Sequence, residues 1–267
     1  MTYIQVAPNV NLSIQDWGEG KTILFIPGWC YGHEMFEYQF THLTASGYRC
    51  IGISMRGFGQ SDQPWQGHNF DTYADDLRQV IDCLDLNDIT LVGFSMGGAI
   101  ALRYMGKHKQ AKVAKFVLLS AATPCLTKKP DFTQGLDKTP YDDLIAACYR
   151  DRAAMNETFA KVTFHSAVSP AFLNSIVNMG MQASPIATIQ CLEALRDADL
   201  RADLKTVTVS TLICHSRNDQ VAPFEITAKV NHEGIQNSTL IEFENSGHGL
   251  FFDEKDKLNQ ELMKFIG

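Results

Sequence analysis

The sequence lacks several features that would assign it to a common functional class. Its 267 residues contain no run of about 18 apolar residues that would suggest a membrane span, and no basic segment begins the chain. The formal net charge is −7, from 23 Lys and Arg against 30 Asp and Glu. A basic surface for a phosphate backbone is therefore not expected. We expect neither a membrane nor a nucleic acid as a partner.

Paired cysteines and metal-ligand motifs are also missing. The seven cysteines are odd in number and scattered, and none stands in a C-x-x-C motif: Cys30, Cys50, Cys83, Cys125, Cys148, Cys191 and Cys214. This pattern fits neither a disulfide framework nor a zinc site, so a reducing cytoplasm is the expected compartment. No histidine pair stands at ligand spacing with a carboxylate, and no G-x-G-x-x-G is present. We expect no metal and no cofactor.

The sequence does contain the pattern of an α/β fold. Hydrophobic residues make up 45% and charged residues 20% of the chain, which suits one globular domain. From about residue 20 to 120, short β-rich runs alternate with helix-period segments, as in a parallel sheet with crossover helices. The predicted strands are 23–26, 49–53, 89–92, 116–119, 209–214 and 239–243.

Other segments complete the predicted sheet and its flanks. Alternating runs at 3–6 and 12–17 predict an antiparallel hairpin at the sheet edge, which makes the sheet mixed. An apolar stripe from Tyr73 to Leu84 predicts a crossover helix, with Asp71 as its N-cap. The stripe at 258–266 predicts a final helix. The predicted fold class is α/β, with a mostly parallel mixed sheet flanked by helices.

The strand pattern stops between residues 125 and 204. Three helical stripes replace it, around Leu144, Ile176 and Leu192, and they are interrupted by prolines: Pro140, Pro170 and Pro185. We interpret this segment as a helical cap inserted between two strands. The predicted organisation is thus 1–124 as the first part of an α/β core, 125–204 as the cap, and 205–267 as the second part of the core.

The segment 93–97, Gly-Phe-Ser-Met-Gly, follows a predicted strand and precedes a good helix former. That context is typical of the G-x-S-x-G nucleophile elbow. A turn tight enough to expose the Ser95 hydroxyl leaves no room for side chains at 93 and 97, which explains the two glycines. The alternative is an ordinary glycine-rich turn, and the strand-turn-helix context favours the elbow. Ser95 is the predicted nucleophile.

A neutral serine needs a base and an orienting carboxylate, in the chain order Ser, Asp, His. Asp219 follows the strand 209–214, and His248 lies between two glycines after the last predicted strand. Taken alone, Asp219 could be a helix cap or a turn residue, and His248 could be a solvated loop residue. Their positions after strands and their order along the chain favour a catalytic triad. Asp197 and Asp199 are weaker substitutes for the acid.

The remaining histidines are weaker candidates for the base. Six of them fall in helical or loop segments without a partner pattern: His33, His42, His68, His108, His165 and His232. The seventh, His215, precedes the loop of Asp219. We expect all seven to be structural or exposed.

An oxyanion hole requires two N–H donors. One is expected from Met96, the residue after the nucleophile, and the other from the loop after strand 23–26. That loop reads Pro27-Gly28-Trp29-Cys30, so the N–H of Trp29 is the predicted second donor. The alternative for Trp29 is a core aromatic at a strand end. Cys30 has no base of its own, and we interpret it as a small pocket residue rather than a nucleophile.

These motifs resemble the α/β-hydrolase superfamily, and within it the branch of bacterial arylesterases and cofactor-free haloperoxidases (perhydrolases). The resemblance covers almost the whole chain and rests on these segments: 27–29, 47–49, 56–61, 71–77, 91–98, 103–104, 117–121, 203–204 and 247–250. It implies Ser95 as nucleophile, His248 as general acid and base, Asp219 as the orienting acid, and Trp29 and Met96 as oxyanion donors. It adds no cofactor.

Three positions depart from the family pattern. Pro27 stands where a histidine is usual, and Ser54 stands where an aspartate usually precedes the Arg-Gly-x-Gly turn. We expect both differences to be structural. Members that favour peroxide chemistry commonly have proline after the oxyanion aromatic, and here that residue is Cys30. This departure favours ester hydrolysis over perhydrolysis.

The sequence therefore predicts a serine hydrolase of the carboxylesterase or arylesterase type, acting on a small ester. Alternatives on the same triad are a perhydrolase, a C–C bond hydrolase, a lactonase and a lyase; a low-turnover small-molecule receptor is the alternative of another class. Ser95 disfavours haloalkane dehalogenases and epoxide hydrolases, which have aspartate there. The cap residues expected to line the pocket are Phe132, Leu136, Phe159, Phe164 and Met179. No oligomeric state is indicated.

Overall fold

The computed structural model of the chain describes residues 2–267, and these form one eight-stranded sheet flanked by helices. Its strands are β1 (Thr2–Ala7), β2 (Val10–Trp17), β3 (Lys21–Ile26), β4 (Tyr48–Ile53), β5 (Ile89–Phe94), β6 (Val113–Leu119), β7 (Ser210–Ser216) and β8 (Ser238–Phe243). The spatial order is β1-β2-β4-β3-β5-β6-β7-β8. β2 pairs antiparallel with β1 and β4, and all other pairs are parallel. The predicted mixed sheet and its edge hairpin are confirmed.

Helices cover both faces of the sheet and one end of it. Their bounds are α1 (Glu37–Ala45), α2 (Phe70–Cys83), α3 (Met96–Lys107), α4 (Thr139–Thr163), α5 (Pro170–Met181), α6 (Pro185–Asp197), α7 (Arg201–Leu204), α8 (Ala228–Gly234), α9 (Leu250–Asp253) and α10 (Lys255–Ile266). Short 3₁₀ helices lie at His33–Phe36 and Phe224–Ile226. Across residues 2–267, every helix is too short or too polar to cross a bilayer.

The central strands are apolar because both of their faces are buried. β5 is buried along its whole length, as expected for a parallel strand between two helical layers. β7 extends two residues beyond the predicted strand, to Ser216, because His215 and Ser216 still pair with β8. Their polar side chains end the apolar pattern, so the sequence did not reveal this extension. One of them, His215, bears on the candidate site.

The start of α2 corrects one expectation. Asn69, and not Asp71, is the N-cap: its backbone is extended and its Oδ1 accepts a hydrogen bond from the N–H of Thr72 at 3.0 Å. Asp71 lies in the first turn and accepts a hydrogen bond from Arg103 instead. Both residue types favour N-caps, so composition alone did not separate them.

Helices α4 to α7 occupy the chain between β6 and β7. In the described residues no strand interrupts them, although isolated bridges pair Thr127 with Leu136 and Lys129 with Phe132. The three prolines that were predicted to interrupt the helical stripes instead lie where helices begin. α4, α5 and α6 each have proline in the first turn, where a backbone N–H has no hydrogen-bond partner within the helix. α4 is broken at Asp151, whose Oδ1 accepts from the N–H of Ala154 and caps the second half.

Candidate active site

Ser95 lies in the sharp turn between β5 and α3. Its backbone has φ 52° and ψ −118°, a conformation that L residues rarely adopt. The turn is held by backbone hydrogen bonds: the N–H of Ser95 donates to Leu119, and its carbonyl accepts from Gly98 and Ala122. These contacts keep the strained serine at the carboxyl end of β5.

The glycines around Ser95 are required by close backbone approach. A Cβ on Gly93 would lie 2.5 Å from the carbonyl oxygen of Gly97, and a Cβ on Gly97 would collide with the carbonyl oxygen of Ile26. A Cβ on Gly98 would lie 2.5 Å from that of Ala121. The predicted elbow geometry is therefore present, for the steric reason given by the sequence.

Ser95, His248 and Asp219 meet at this edge of the sheet, and all three are buried. Ser95 Oγ lies 2.8 Å from His248 Nε2, and His248 Nδ1 lies 2.8 Å from Asp219 Oδ2. Because an ionised carboxylate only accepts, we assign the ring proton to Nδ1, which leaves Nε2 to accept from the serine hydroxyl. His248 is buried rather than solvated. Asp219 does form a turn, because its Oδ1 accepts from the N–H groups of Val221 and Ala222, and its Oδ2 is the oxygen that faces His248.

The loop that carries His248 is anchored on both sides of the histidine. The N–H of Gly249 donates to the carbonyl of Thr163, at the end of α4, at 2.7 Å. The N–H of Gly247 donates to Asp253 Oδ2 at 2.9 Å. The position of His248 thus depends on α4 and α9.

Asp219 is stabilised as a buried carboxylate by four groups. Its Oδ1 accepts from the backbone N–H groups of Val221 and Ala222 at 2.9 and 2.8 Å. Its Oδ2 faces His248 and also His215, whose Nε2 is 3.0 Å away. Burial by itself would raise the pKa of Asp219, but the attraction of His248 and the hydrogen bonds of His215 and His248 hold that pKa well below its ordinary value.

His215 is a site residue that sequence reasoning missed. Its Nε2 lies 2.8 Å from the carbonyl oxygen of Ala222 and 3.0 Å from Asp219 Oδ2. Since both neighbours are acceptors, we assign the proton to Nε2; in the described chain Nδ1 has no partner. The available signal was its position four residues before Asp219 at a strand end.

Met96 and Trp29 carry the two backbone N–H groups that are predicted for the oxyanion site. Met96 is the first residue of α3, where an N–H has no partner within the helix. Within residues 2–267, neither this N–H nor that of Trp29 donates to a protein acceptor. The Trp29 ring is fixed by its Nε1–H, which donates to Thr188 at 2.9 Å, and by an edge contact with Phe159. The peptide bond between Trp29 and Cys30 is cis.

A cavity of about 700 Å³ opens beside Ser95 and Trp29. Most of its lining comes from α4 and α6, and most of that lining is apolar, for example Leu144, Met155 and Leu192. The size and character suit a small organic molecule. The hydroxyl of Ser95 therefore faces a mostly apolar chamber rather than an open surface.

This arrangement matches known proteins over nearly the full length of the chain. A family model described as alpha/beta hydrolase fold matches residues 21–255. The chain belongs to this family. The predicted fold class is therefore confirmed, and the protein is a hydrolase enzyme.

Relatives of this α/β hydrolase include esterases and a haloperoxidase. The AB hydrolase superfamily protein YisY of Bacillus subtilis (strain 168) is 45% identical over 263 residues, 98% of each chain. An esterase from Exiguobacterium antarcticum is 40% identical with a TM-score of 0.96, over 99% of this chain and 98% of the other. A bromoperoxidase from Bacillus anthracis is 34% identical, also with a TM-score of 0.96, over 99% of each chain. The predicted branch of the superfamily is confirmed.

Cys30 occupies a different place in this α/β hydrolase from the one expected. It does not line the described cavity; it is buried against α4, with its Sγ 3.7 Å from Asn156 Oδ1. Burial raises the pKa of the thiol to about 12, which disfavours the reactive thiolate. The interpretation as a pocket residue was wrong because the loop turns this side chain away from the chamber.

The predicted pocket residues are correct in part. Leu136 and Phe159 line the cavity. Phe132 packs instead with Cys125 and Ile226. Phe164 makes edge contacts with aromatic rings of α5 and α9, and Met179 lines a second cavity of about 300 Å³. Helical spacing identified buried cap residues but not the direction they face, which depends on how α4 and α5 pack.

The substitute acids are engaged elsewhere. Asp197 pairs with Arg196 and Lys138, and Asp199 pairs with Arg201. Both aspartates are partly exposed, and these cations lower the pKa of each. Neither contacts His248 in the described residues, so Asp219 is the acid that the geometry favours.

Proposed function

We propose that this α/β hydrolase cleaves a small carboxylic ester through an acyl-enzyme on Ser95. The observation that carries the proposal is the continuous contact from Ser95 Oγ to His248 Nε2, and from His248 Nδ1 to Asp219 Oδ2, each 2.8 Å. Nucleophile, base and orienting acid are within hydrogen-bond distance before any substrate binds. The esterase from Exiguobacterium antarcticum supports the same reaction class.

In the proposed reaction Ser95 Oγ attacks the ester carbonyl while His248 takes the hydroxyl proton. Asp219 stabilises the resulting imidazolium and keeps the ring oriented. His248 then returns the proton to the leaving alcohol, and an acyl-enzyme remains. A water molecule, deprotonated by His248, attacks this acyl group and releases the carboxylic acid.

The tetrahedral oxyanion would be held by the N–H groups of Trp29 and Met96. Both N–H groups lack a protein acceptor in the described chain, so neither has to break a hydrogen bond within the protein to bind the oxyanion. Each such donor contributes on the order of 3 kcal/mol of transition-state stabilisation, about a hundredfold in rate.

We also propose that residues 125–204 act as a cap on a core formed by 1–124 and 205–267. α4 and α6 supply most of the cavity wall above Ser95, and Arg152 of α4 donates to carbonyls at the end of α5. The cap would then select the substrate through the side chains that line the cavity, while loops of the core would carry the reacting groups.

The first prediction concerns Ser95. Hydrolysis of p-nitrophenyl acetate should show multiple turnovers in the wild type and fall by at least about 10³-fold in Ser95→Ala, because Ser95 is the nucleophile within hydrogen-bond distance of His248 Nε2. Initial rates of p-nitrophenol release, followed by absorbance at 400 nm, measure this loss of activity. A fluorophosphonate probe should label Ser95, as located by peptide mass spectrometry.

Cys30→Ala is the matched control for this experiment, because it removes the other candidate nucleophile. It should retain both hydrolysis and labelling. Labelling of Cys30, or full activity in Ser95→Ala, would overturn the assignment. Ligand-induced thermal stabilisation without turnover would identify a receptor instead.

Perhydrolysis is the second candidate function, favoured by the relative named as a bromoperoxidase. In that reaction hydrogen peroxide replaces water as the nucleophile on the acyl-enzyme and releases a peracid. A panel of acyl and alcohol chain lengths, assayed with and without peroxide, separates the two. We expect hydrolysis to dominate, in line with Cys30 at the position where peroxide-active members commonly have proline.

A further inference from the structure

Most polar side chains around the cavity already have protein partners. Ser95 Oγ contacts His248, Trp29 Nε1 donates to Thr188, and Thr158 Oγ1 donates to the carbonyl of Ala154 at 2.9 Å. Arg150 and Gln220 also line the cavity but are exposed, so water satisfies their polar groups. None of these groups needs a substrate to complete its hydrogen bonds.

Tyr141 is the exception. It lies in the first turn of α4, lines the cavity, and is only 7% exposed. Within residues 2–267 its hydroxyl forms no hydrogen bond with the protein. The side chain is mostly buried while its hydroxyl oxygen is accessible, so the hydroxyl is available to bond with a molecule that enters the cavity.

The Tyr141 hydroxyl is a donor at any ordinary pH. Burial, and then the nearby charge of Asp219, raise its pKa far above its usual value of 10. Tyr141 lines the same cavity as Ser95. The neighbouring walls are mostly apolar and Arg150 of the lining is exposed, so burying an ionised substrate group there costs more than burying a neutral oxygen.

We propose that Tyr141 is a substrate-specificity residue, which donates a hydrogen bond to a neutral acceptor oxygen that the substrate carries in addition to its ester group. The preferred substrates are then oxygen-bearing esters, such as ether, keto or hydroxy esters, rather than plain alkyl esters. This inference rests on the proposed ester hydrolysis and specifies its substrate class.

The test compares Tyr141→Phe with wild type on two isosteric ester pairs. In the acyl arm the pair is p-nitrophenyl methoxyacetate and p-nitrophenyl butyrate; in the alcohol arm it is 2-methoxyethyl acetate and butyl acetate. Within each pair an ether oxygen replaces a methylene. The ratio of kcat/KM values within a pair, compared between the two enzymes, cancels intrinsic reactivity.

We expect Tyr141→Phe to lower the preference for the oxygenated ester by about threefold to tenfold in one of the two pairs, which also shows the arm that Tyr141 contacts. Thr158→Val is the matched control: it removes a lining hydroxyl that already has a protein partner, so both ratios should stay within twofold. Tyr141→Leu should reproduce the change in ratio, and thermal melting shows whether each variant is folded.

Ratios unchanged by Tyr141→Phe in both arms, with hydrolysis intact, would overturn this inference and leave the proposed function standing. If the wild type hydrolyses none of the four esters, the proposed function itself fails. In that case the affinities of Ser95→Ala and of the double variant Ser95→Ala, Tyr141→Phe are measured for both esters of each pair. A preference for the oxygenated ester that is lost in the double variant would still show that Tyr141 binds an acceptor oxygen.

Discussion

At the scale of single residues, the carboxylate of Asp219 is held by more donors than the sequence suggested. The backbone at 221 and 222 binds one oxygen, and two histidine rings bind the other. Only the ring of His248 continues to Ser95. We therefore propose His215 as a positioning residue, which would act through Asp219 by restricting the orientation of its carboxylate toward His248.

Replacing His215 should lower turnover without removing the nucleophile. His215→Phe keeps the ring shape but loses the Nε2 donor to Asp219. The Nε2 proton of His215 is shared between the carbonyl oxygen of Ala222 and Asp219 Oδ2. Only part of the about 1.5–3 kcal/mol of a hydrogen bond to a charged group is then lost at Asp219, and we expect kcat to fall by about threefold to tenfold. The measurement is kcat for p-nitrophenyl acetate, alongside the melting temperature.

His215→Gln is the matched variant, because its amide nitrogen reaches approximately the position of Nε2. It should recover most of the lost kcat. If the Phe and Gln variants are equally impaired, or if kcat simply follows melting temperature in both, then His215 serves packing alone.

At the scale of the element, the start of α2 shows that residue preferences for the N-cap do not by themselves decide where a helix begins. Asn69 and Asp71 are both good cap residues, but only Asn69 has the extended backbone that turns its side chain toward the N–H of Thr72. Asp71 instead faces Arg103 of α3. The helix start was thus chosen by packing between α2 and α3.

We expect Asn69→Ala to reduce the free energy of unfolding by about 1 kcal/mol, the usual contribution of an N-cap. Asp71→Ala should cost less than about 0.5 kcal/mol, because its ion pair is on the surface. Urea denaturation of the two variants measures the difference. The opposite ranking would show that Asp71 is the effective cap.

At the scale of the whole molecule, the site is assembled at one edge of the sheet. β3, β5, β7 and β8 run parallel, so their carboxyl ends bring together the loops of Trp29, Ser95, Asp219 and His248. α4 closes this edge from above. Burying an ionised Asp219 in this assembly links global stability to pH.

The folded protein should lose stability in acid through Asp219. Its pKa is lowered on folding by its histidine partners, so its ionisation stabilises the fold above its ordinary pKa near 4, and this contribution disappears as pH falls through the lowered value. Asp219→Asn lacks this ionisation, so the stability advantage of the wild type should shrink below about pH 4 as Asp219 becomes protonated. The free energy of unfolding should change by up to about 1.4 kcal/mol per pH unit relative to the variant.

Urea titrations of both proteins from pH 7 to pH 3 provide this comparison. A difference that stays constant below pH 4, or that widens, would mean that Asp219 is not held ionised by its partners in the fold.

The sequence by itself determined the elements and the residues that we propose as the reacting groups. The spacing of apolar residues identified the strands and helices, because an element that buries one or both faces has apolar residues at a regular interval along the chain. The elbow glycines identified Ser95, because only glycine permits the close backbone contacts of that turn. Chain order and loop position then identified Asp219 and His248 as its partners.

Only the tertiary structure decided which side chains face one another. His215 contacts Asp219, Cys30 faces Asn156, and the hydroxyl of Tyr141 faces the cavity, and none of these follows from spacing along the chain. The physical reason is that periodicity reports burial, whereas contact depends on the packing angle of elements distant in sequence. The cavity beside Ser95 lies between such elements, so its shape is fixed only when α4 and α6 pack over the sheet.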